Sequence, residues 1–122
     1  MISIDLMSRT PVYTQITMQI EDYVLRGILK AGDKIPSVRS LSISLSINPN
    51  TIQKAYSELD RKGITTSVPG RGSFISDDAI KLLQSNNRNR LDELSELLEN
   101  LKLSGVSKEE IISYVNKVFE TI

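Results

Sequence analysis

Asn48, Asn50, Thr51, Gln53 and Lys54 lie within one short stretch, and each is a side chain that can meet a nucleic acid. Asparagine and glutamine can grip adenine through two hydrogen bonds, a threonine methyl can meet thymine, and lysine reaches guanine or phosphate. Arg39 lies upstream, where a guanidinium can bind guanine or brace the sugar-phosphate backbone. Downstream, Gly70-Arg71-Gly72 sets a cation between two residues without side chains. A backbone built that way can approach a phosphate ridge while Arg71 supplies charge or probes the minor groove. Taken singly, these features read as a solvated helix face, a surface cation and a turn. Taken together, their order and spacing match one docking geometry on duplex DNA.

Catalysis has no comparable residues. The chain has neither histidine nor cysteine, so it lacks the commonest general base, the usual activator of nucleophiles and the usual soft metal ligands. No Ser–Lys or paired-carboxylate motif replaces them. The expectation is a protein that is not an enzyme and takes no cofactor and no metal.

The elements that must position these residues follow from local signals. Thr10 and Pro11 read as the N-cap and first residue of a helix whose face is Tyr13, Ile16, Ile20, Val24 and Ile28, ended by the Gly32-Asp33 turn. Ser37 caps a second, short helix with Val38, Leu41 and Leu45 inward, and its free N–H groups beside Ser37 suit a phosphate. Asn48 and Pro49 open a third helix that runs to about Lys62, with Ile52, Ala55, Tyr56 and Leu59 inward and Ser57 and Arg61 further along its polar side. Ile64–Val68 and Ser73–Ile75 flank Pro69-Gly70-Arg71-Gly72 as a two-stranded hairpin. Ile52, Ala55, Leu59 and Phe74 are assigned to core packing. Helix, helix-turn-helix and hairpin make a winged helix-turn-helix, so the fold class is mostly α with a small β-hairpin.

The segment from Pro11 to Ile75 resembles the DNA-binding domain of the GntR family of bacterial transcriptional regulators. The residues that carry the resemblance include Pro11-Val12-Tyr13 with Gln15-Ile16, Gly27 and Gly32-Asp33-Lys34-Ile35-Pro36-Ser37-Val38-Arg39. They continue with Asn48-Pro49-Asn50-Thr51, Lys54-Ala55-Tyr56, Glu58-Leu59, Gly63-Ile64 and Gly70-Arg71-Gly72-Ser73-Phe74-Ile75. The Asn-Pro-Asn-Thr form and the short helical tail are similar to the YtrA-like subfamily. The resemblance implies that Arg39, Asn48, Pro49, Asn50, Thr51 and Gly70 touch operator DNA. The physical reading adds Ser37, Gln53, Lys54, Arg71 and Gly72. Two departures stand out. Ser42–Ser46 is more polar than the family's usual second helix, which threatens to leave that helix marginal. Thr65-Thr66-Ser67 is a more polar strand than usual, with no expected effect on contact.

Charge divides the chain of 122 residues. Through Ile75 it holds nine basic and six acidic side chains, and beyond that point six basic and nine acidic. A front of net +3 and a back of net −3 suit one anion-facing surface and one turned elsewhere. No apolar run approaches membrane-spanning length and no signal peptide opens the chain, so a cytoplasmic protein without a membrane partner is expected.

Residues 1–76 are expected to form the DNA-binding domain and residues 77–122 a C-terminal helical region for dimerisation. In that tail Ile80, Leu83, Leu91, Leu94, Leu97, Leu98 and Leu101 form a leucine-rich stripe. The polar stretch Ser85–Arg90 is either a solvated turn of one long helix, the preferred reading, or a break between two pieces. Gly105 ends the stripe, and Ser107 with Glu110 forms a capping-box pattern before an apolar helix containing Ile111, Ile112, Val115, Val118 and Phe119. Such a stripe either packs on the winged domain or, the preferred reading, forms a homodimer through Leu91, Leu94, Leu98, Leu101, Ile111 and Val115. The expected function is a repressor that binds a palindromic operator and controls its own operon. The resemblance implies ABC transporter or envelope-stress genes in that operon. The rival reading is a winged-helix protein-interaction module. No residue set identifies a small-molecule effector.

Overall fold

The computed structural model describes residues 2–120. Its first helix, α1 (Val12–Leu25), begins one residue later than the Thr10-Pro11 pair predicts. Pro11 holds an extended ψ of 146° and is itself the N-cap, while the Thr10 carbonyl accepts from the Gln15 side chain at 2.9 Å. Ile16, Ile20 and Val24 are buried as their spacing requires. Ile28 does not join them. Gly27 takes a φ of +76°, a conformation that glycine adopts without strain. The amides of Gly27 and Ile28 then turn back to the carbonyls of Val24 and Tyr23 at 3.1 and 2.9 Å. The helix therefore stops well before Gly32-Asp33 and leaves Ile28 61 % exposed.

The next two helices, α2 (Val38–Leu45) and α3 (Pro49–Arg61), start where their caps predict. Ser37 Oγ accepts from the Ser40 amide at 3.0 Å, and Asn48 Oδ1 accepts from the Asn50 amide at 2.8 Å. Pro49 fills the first helical position, where its missing N–H leaves no bond unmade. The polar α2 is anchored by buried Leu41, with Val38 and Leu45 half-buried, and Ser42 Oγ donates to the Ile47 carbonyl at 2.5 Å. The turn into α3 passes through Ser46, a non-glycine residue at φ +56°. Ile52, Ala55, Tyr56 and Leu59 are all buried, packing α3 on α1 and α2. The Tyr56 hydroxyl donates to the Pro36 carbonyl at 2.6 Å, tying α3 to the segment that leads into α2.

Strands β1 (Thr65–Val68) and β2 (Gly72–Ile75) pair antiparallel, with Thr65 opposite Ile75 and Val68 opposite Gly72. Gly72 is thus a strand residue, and the loop is Pro69-Gly70-Arg71, closed by the Arg71 amide on the Val68 carbonyl at 2.9 Å. The other edge of β2 is covered by the segment Gly32–Ile35. The Gly32 amide donates to Ile75 at 2.8 Å, Ile75 to Asp33 at 2.8 Å and Ile35 to Ser73 at 3.0 Å. Phe74 is half-buried beside this edge and not part of the core, its backbone bridged to Lys34.

The helix after the wing, α4 (Ala79–Arg88), returns Ala79 and Leu83 to the same core. Ser85–Arg90 then proves to be a break. Helix α4 ends at Arg88, Asn89 and Arg90 form a turn, and α5 (Leu91–Leu103) starts afresh. Serine and asparagine side chains compete for backbone hydrogen bonds, and this stretch has no apolar side chain whose burial would offset that. One compact unit ends at Asn86 and a second begins at Asn87. Within the second, α5 and α6 (Lys108–Glu120) are joined by a turn in which the Val106 amide donates to the Leu101 carbonyl at 3.0 Å. Ser107 Oγ accepts from the Glu110 amide at 3.1 Å, as the capping-box pattern predicts.

Candidate nucleic-acid interface

Ion pairing sorts the cations of the winged unit into two groups. Arg26 pairs with Asp22 at 2.8 Å, Arg61 with Glu58 at 2.8 Å and Lys62 with Glu21 at 3.7 Å. Arg9, Lys30, Lys34, Arg39, Lys54 and Arg71 have no carboxylate in ion-pair range among the described residues. An unpaired cation keeps its charge available for phosphate, and phosphate neutralisation supplies most of the affinity of DNA-binding proteins.

Arg39 stands exposed in the first turn of α2, two residues after the cap Ser37. On α3, Asn48, Pro49, Asn50, Gln53 and Lys54 are exposed and Thr51 is half-buried. The start of the helix therefore presents the polar surface that the sequence assigns to base contact. Two of these side chains have neighbours that a sequence does not reveal. Gln53 Nε2 donates to Ser57 Oγ at 3.2 Å, and the Lys54 ammonium lies 4.0 Å from the centroid of the Tyr13 ring. That cation–π contact holds Lys54 against the first turn of α1. Arg61 is engaged by Glu58. The hydrogen bond from Arg61 holds the Glu58 carboxyl below its usual range, and the same bond raises the guanidinium.

The wing carries Gly70, Arg71 and Gly72, all exposed. Gly72 has a φ of +120°, and a Cβ there would stand 2.8 Å from Lys34 Cε and 3.6 Å from its Nζ. Lys34 therefore brings its ammonium to the wing at Gly72. Nothing in the sequence marks Lys34 for this place, because only the pairing of Gly32–Ile35 with β2 brings it to the wing. Gln15 and Gln19 have a structural role that the sequence does not signal. Gln15 Oε1 accepts from the Asp5 amide at 2.8 Å and Gln19 Oε1 from the Ser3 amide at 3.0 Å, pinning the N-terminal segment along α1.

Residues 12–75, just over half the chain, match the family model for bacterial regulatory proteins of the gntR family. The chain belongs to the GntR family. Among GntR-family relatives, the HTH-type transcriptional repressor YtrA of Bacillus subtilis (strain 168) is 40% identical over 119 residues, covering 97% of this chain and 92% of that protein. The crystal structure of a transcriptional regulator from Oenococcus oeni superposes with a TM-score of 0.75 at 35% identity, over 95% of this chain and 97% of that one. The DNA-binding domain of AraR, solved in complex with operator ORX1, superposes with a TM-score of 0.54 at 28% identity, over 60% of this chain and 90% of that one. The chain is thus a GntR-family transcriptional regulator with a winged helix-turn-helix DNA-binding fold. Among the described residues no helix is long and apolar enough to cross a membrane.

Proposed function

We propose that this chain is a cytoplasmic repressor, without catalytic activity, that binds a palindromic operator as a homodimer. Residues 1–76 read the DNA, and within residues 77–122 it is α5 and α6, beyond the α4 that packs in the winged core, that bring two copies together. Arg39, Asn48, Asn50, Thr51 and Gln53 address base edges, with Pro49 and Gly70 close to the duplex. Ser37, Lys54, Arg71 and Gly72 lie along the sugar-phosphate backbone. The B. subtilis relative is named as a repressor, which supports blocking of a promoter as the mode of action. The target is the chain's own operon, together with ABC transporter genes.

The observation that carries the dimer is the state of the second unit. Neither α5 nor α6 buries a single described residue. Leu94, Leu98, Leu101, Ile111 and Val115 instead line an apolar groove of about 920 Å³ between the two helices. A soluble monomer rarely leaves so continuous an apolar surface open, and a two-fold mate offers the same groove in return. A single reading head also spans too few base pairs for useful specificity.

The test is titration of the full chain against duplex from its own promoter. Two chains should bind per site, with a footprint of two half-sites about one helical turn apart. Leu94→Asp and Leu98→Asp should each give monomers in sedimentation and lose operator binding, because an unpaired carboxylate in the joint is costly. Dimers that persist in both variants would assign the groove to another role.

A further inference from the structure

Asp60, in the last turn of α3, is bonded to the wing. Its Oδ1 accepts from Thr65 Oγ1, and its Oδ2 accepts from Ser67 Oγ at 2.5 Å. Ser67 Oγ also lies 3.3 Å from Ser73 Oγ, its cross-strand partner on β2. A chain of polar contacts therefore runs from the recognition helix through one wing strand into the other. We propose that Asp60 is a positioning residue for DNA contact, fixing the angle at which the wing leaves α3 and hence where Gly70 and Arg71 meet the duplex. The proposal rests on the wing being a DNA contact.

Three observations support this role. A two-stranded hairpin is marginally stable alone, and only Thr65 of the four β1 residues is buried, so apolar packing secures no more than the root of that strand. The outer edge of β2 is tied down by Gly32–Ile35. Among the described residues, β1 has only Asp60 doing the equivalent work through its side chains. The carboxylate also has no cation in ion-pair range among the described residues. Both its oxygens serve the wing hydroxyls, in charge-assisted bonds that are stronger than neutral ones. The polar run Thr65-Thr66-Ser67, unexpected in a wing strand, thereby gains a purpose through Thr65 and Ser67.

The electrostatics give the test an unambiguous sign. Removing a carboxylate near a phosphate-facing surface should by charge alone tighten DNA binding. Loss of positioning should weaken it. The full chain is titrated at fixed salt against a duplex that the unaltered protein selects from a random-sequence pool, with Asp60→Ala, Thr65→Val and Ser67→Ala each made alone and combined with Arg71→Ala. Asp60→Ala should weaken binding about tenfold. In its background Arg71→Ala, costly in the unaltered chain, should cost less than about twofold. The slope of log affinity against log salt should fall by about one unit in Asp60→Ala, as in Arg71→Ala. Thr65→Ser, which keeps the hydroxyl, should restore what Thr65→Val loses. Ser67→Ala alters an exposed position and carries the same cycle should Asp60→Ala fail to fold.

Unchanged or tighter binding by Asp60→Ala overturns the proposal, as does an undiminished cost of Arg71→Ala in that background. If Arg71→Ala binds like the unaltered chain, the wing assignment falls with the proposal. Contact by the two helices is then judged separately, through Arg39→Ala on α2 and Asn50→Ala on α3.

Discussion

Arg39 and Arg61 carry the same guanidinium on neighbouring helices, yet only one is free to act. Arg61 is held by Glu58 at 2.8 Å, whereas Arg39 stands open beside the Ser37 cap. Arg39→Ala should therefore weaken operator binding by about 1–3 kcal/mol and relax base preference at one position per half-site. Arg61→Ala should leave both within error in a fluorescence-anisotropy titration. Tyr56 supplies a prediction of another kind. Burial pushes its hydroxyl up to about 12, so the folded chain keeps this proton at pH values where the unfolded chain, near 10, releases it. The resulting stability is complete below pH 10 and is lost as pH rises towards 12, by as much as ~2 kcal/mol. Tyr56→Phe should cost about 1 kcal/mol at pH 7 by breaking the bond to Pro36. That gap to the unaltered chain should narrow between pH 10 and 12 in denaturant titrations. Residue types were legible throughout the candidate site, and their partners were not. Nothing in the order of residues says that Lys54 leans on Tyr13 or that Lys34 reaches Gly72, because those meetings depend on packing between distant segments.

At the scale of elements, legibility followed the range of the forces. The starts of α2 and α3 depend on caps within three residues, and both were readable from Ser37 and Asn48-Pro49. The end of α1 was misread because Ile28 continues an apolar rhythm that Gly27 has already stopped. The third edge of the wing could not be read at all, since Gly32–Ile35 shows no strand pattern of its own and is held only by β2. The tail break was present in the composition of Ser85–Arg90, but the apolar stripe on either side argued for continuity. The turn between α2 and α3 is testable in isolation. Ser46 occupies left-handed backbone at φ +56°, where a Cβ costs roughly 1 kcal/mol against glycine. Ser46→Gly should raise the thermal midpoint without moving either flanking helix. A lowered midpoint would show that the serine contributes more than its backbone costs.

For the whole molecule, the placement of α4 decides where the chain can be divided. Ala79 and Leu83 belong to the core of the winged unit, so ending the chain at residue 76, the boundary expected from the sequence, would strip two core side chains from the head. A chain ended after Arg88 keeps both residues. It should be a folded monomer in sedimentation, with operator affinity far below that of the full chain and the half-site preference intact. Binding as tight as the full chain's would remove the tail from DNA recognition.

The turn at Asn89-Arg90 offers the same division by protease. The residues on both sides of it are exposed, and Arg88 and Arg90 bracket Asn89 where α4 gives way to α5. Brief trypsin treatment should cut there first and release the winged unit still folded, parting the DNA-contacting head from α5 and α6 in a single nick.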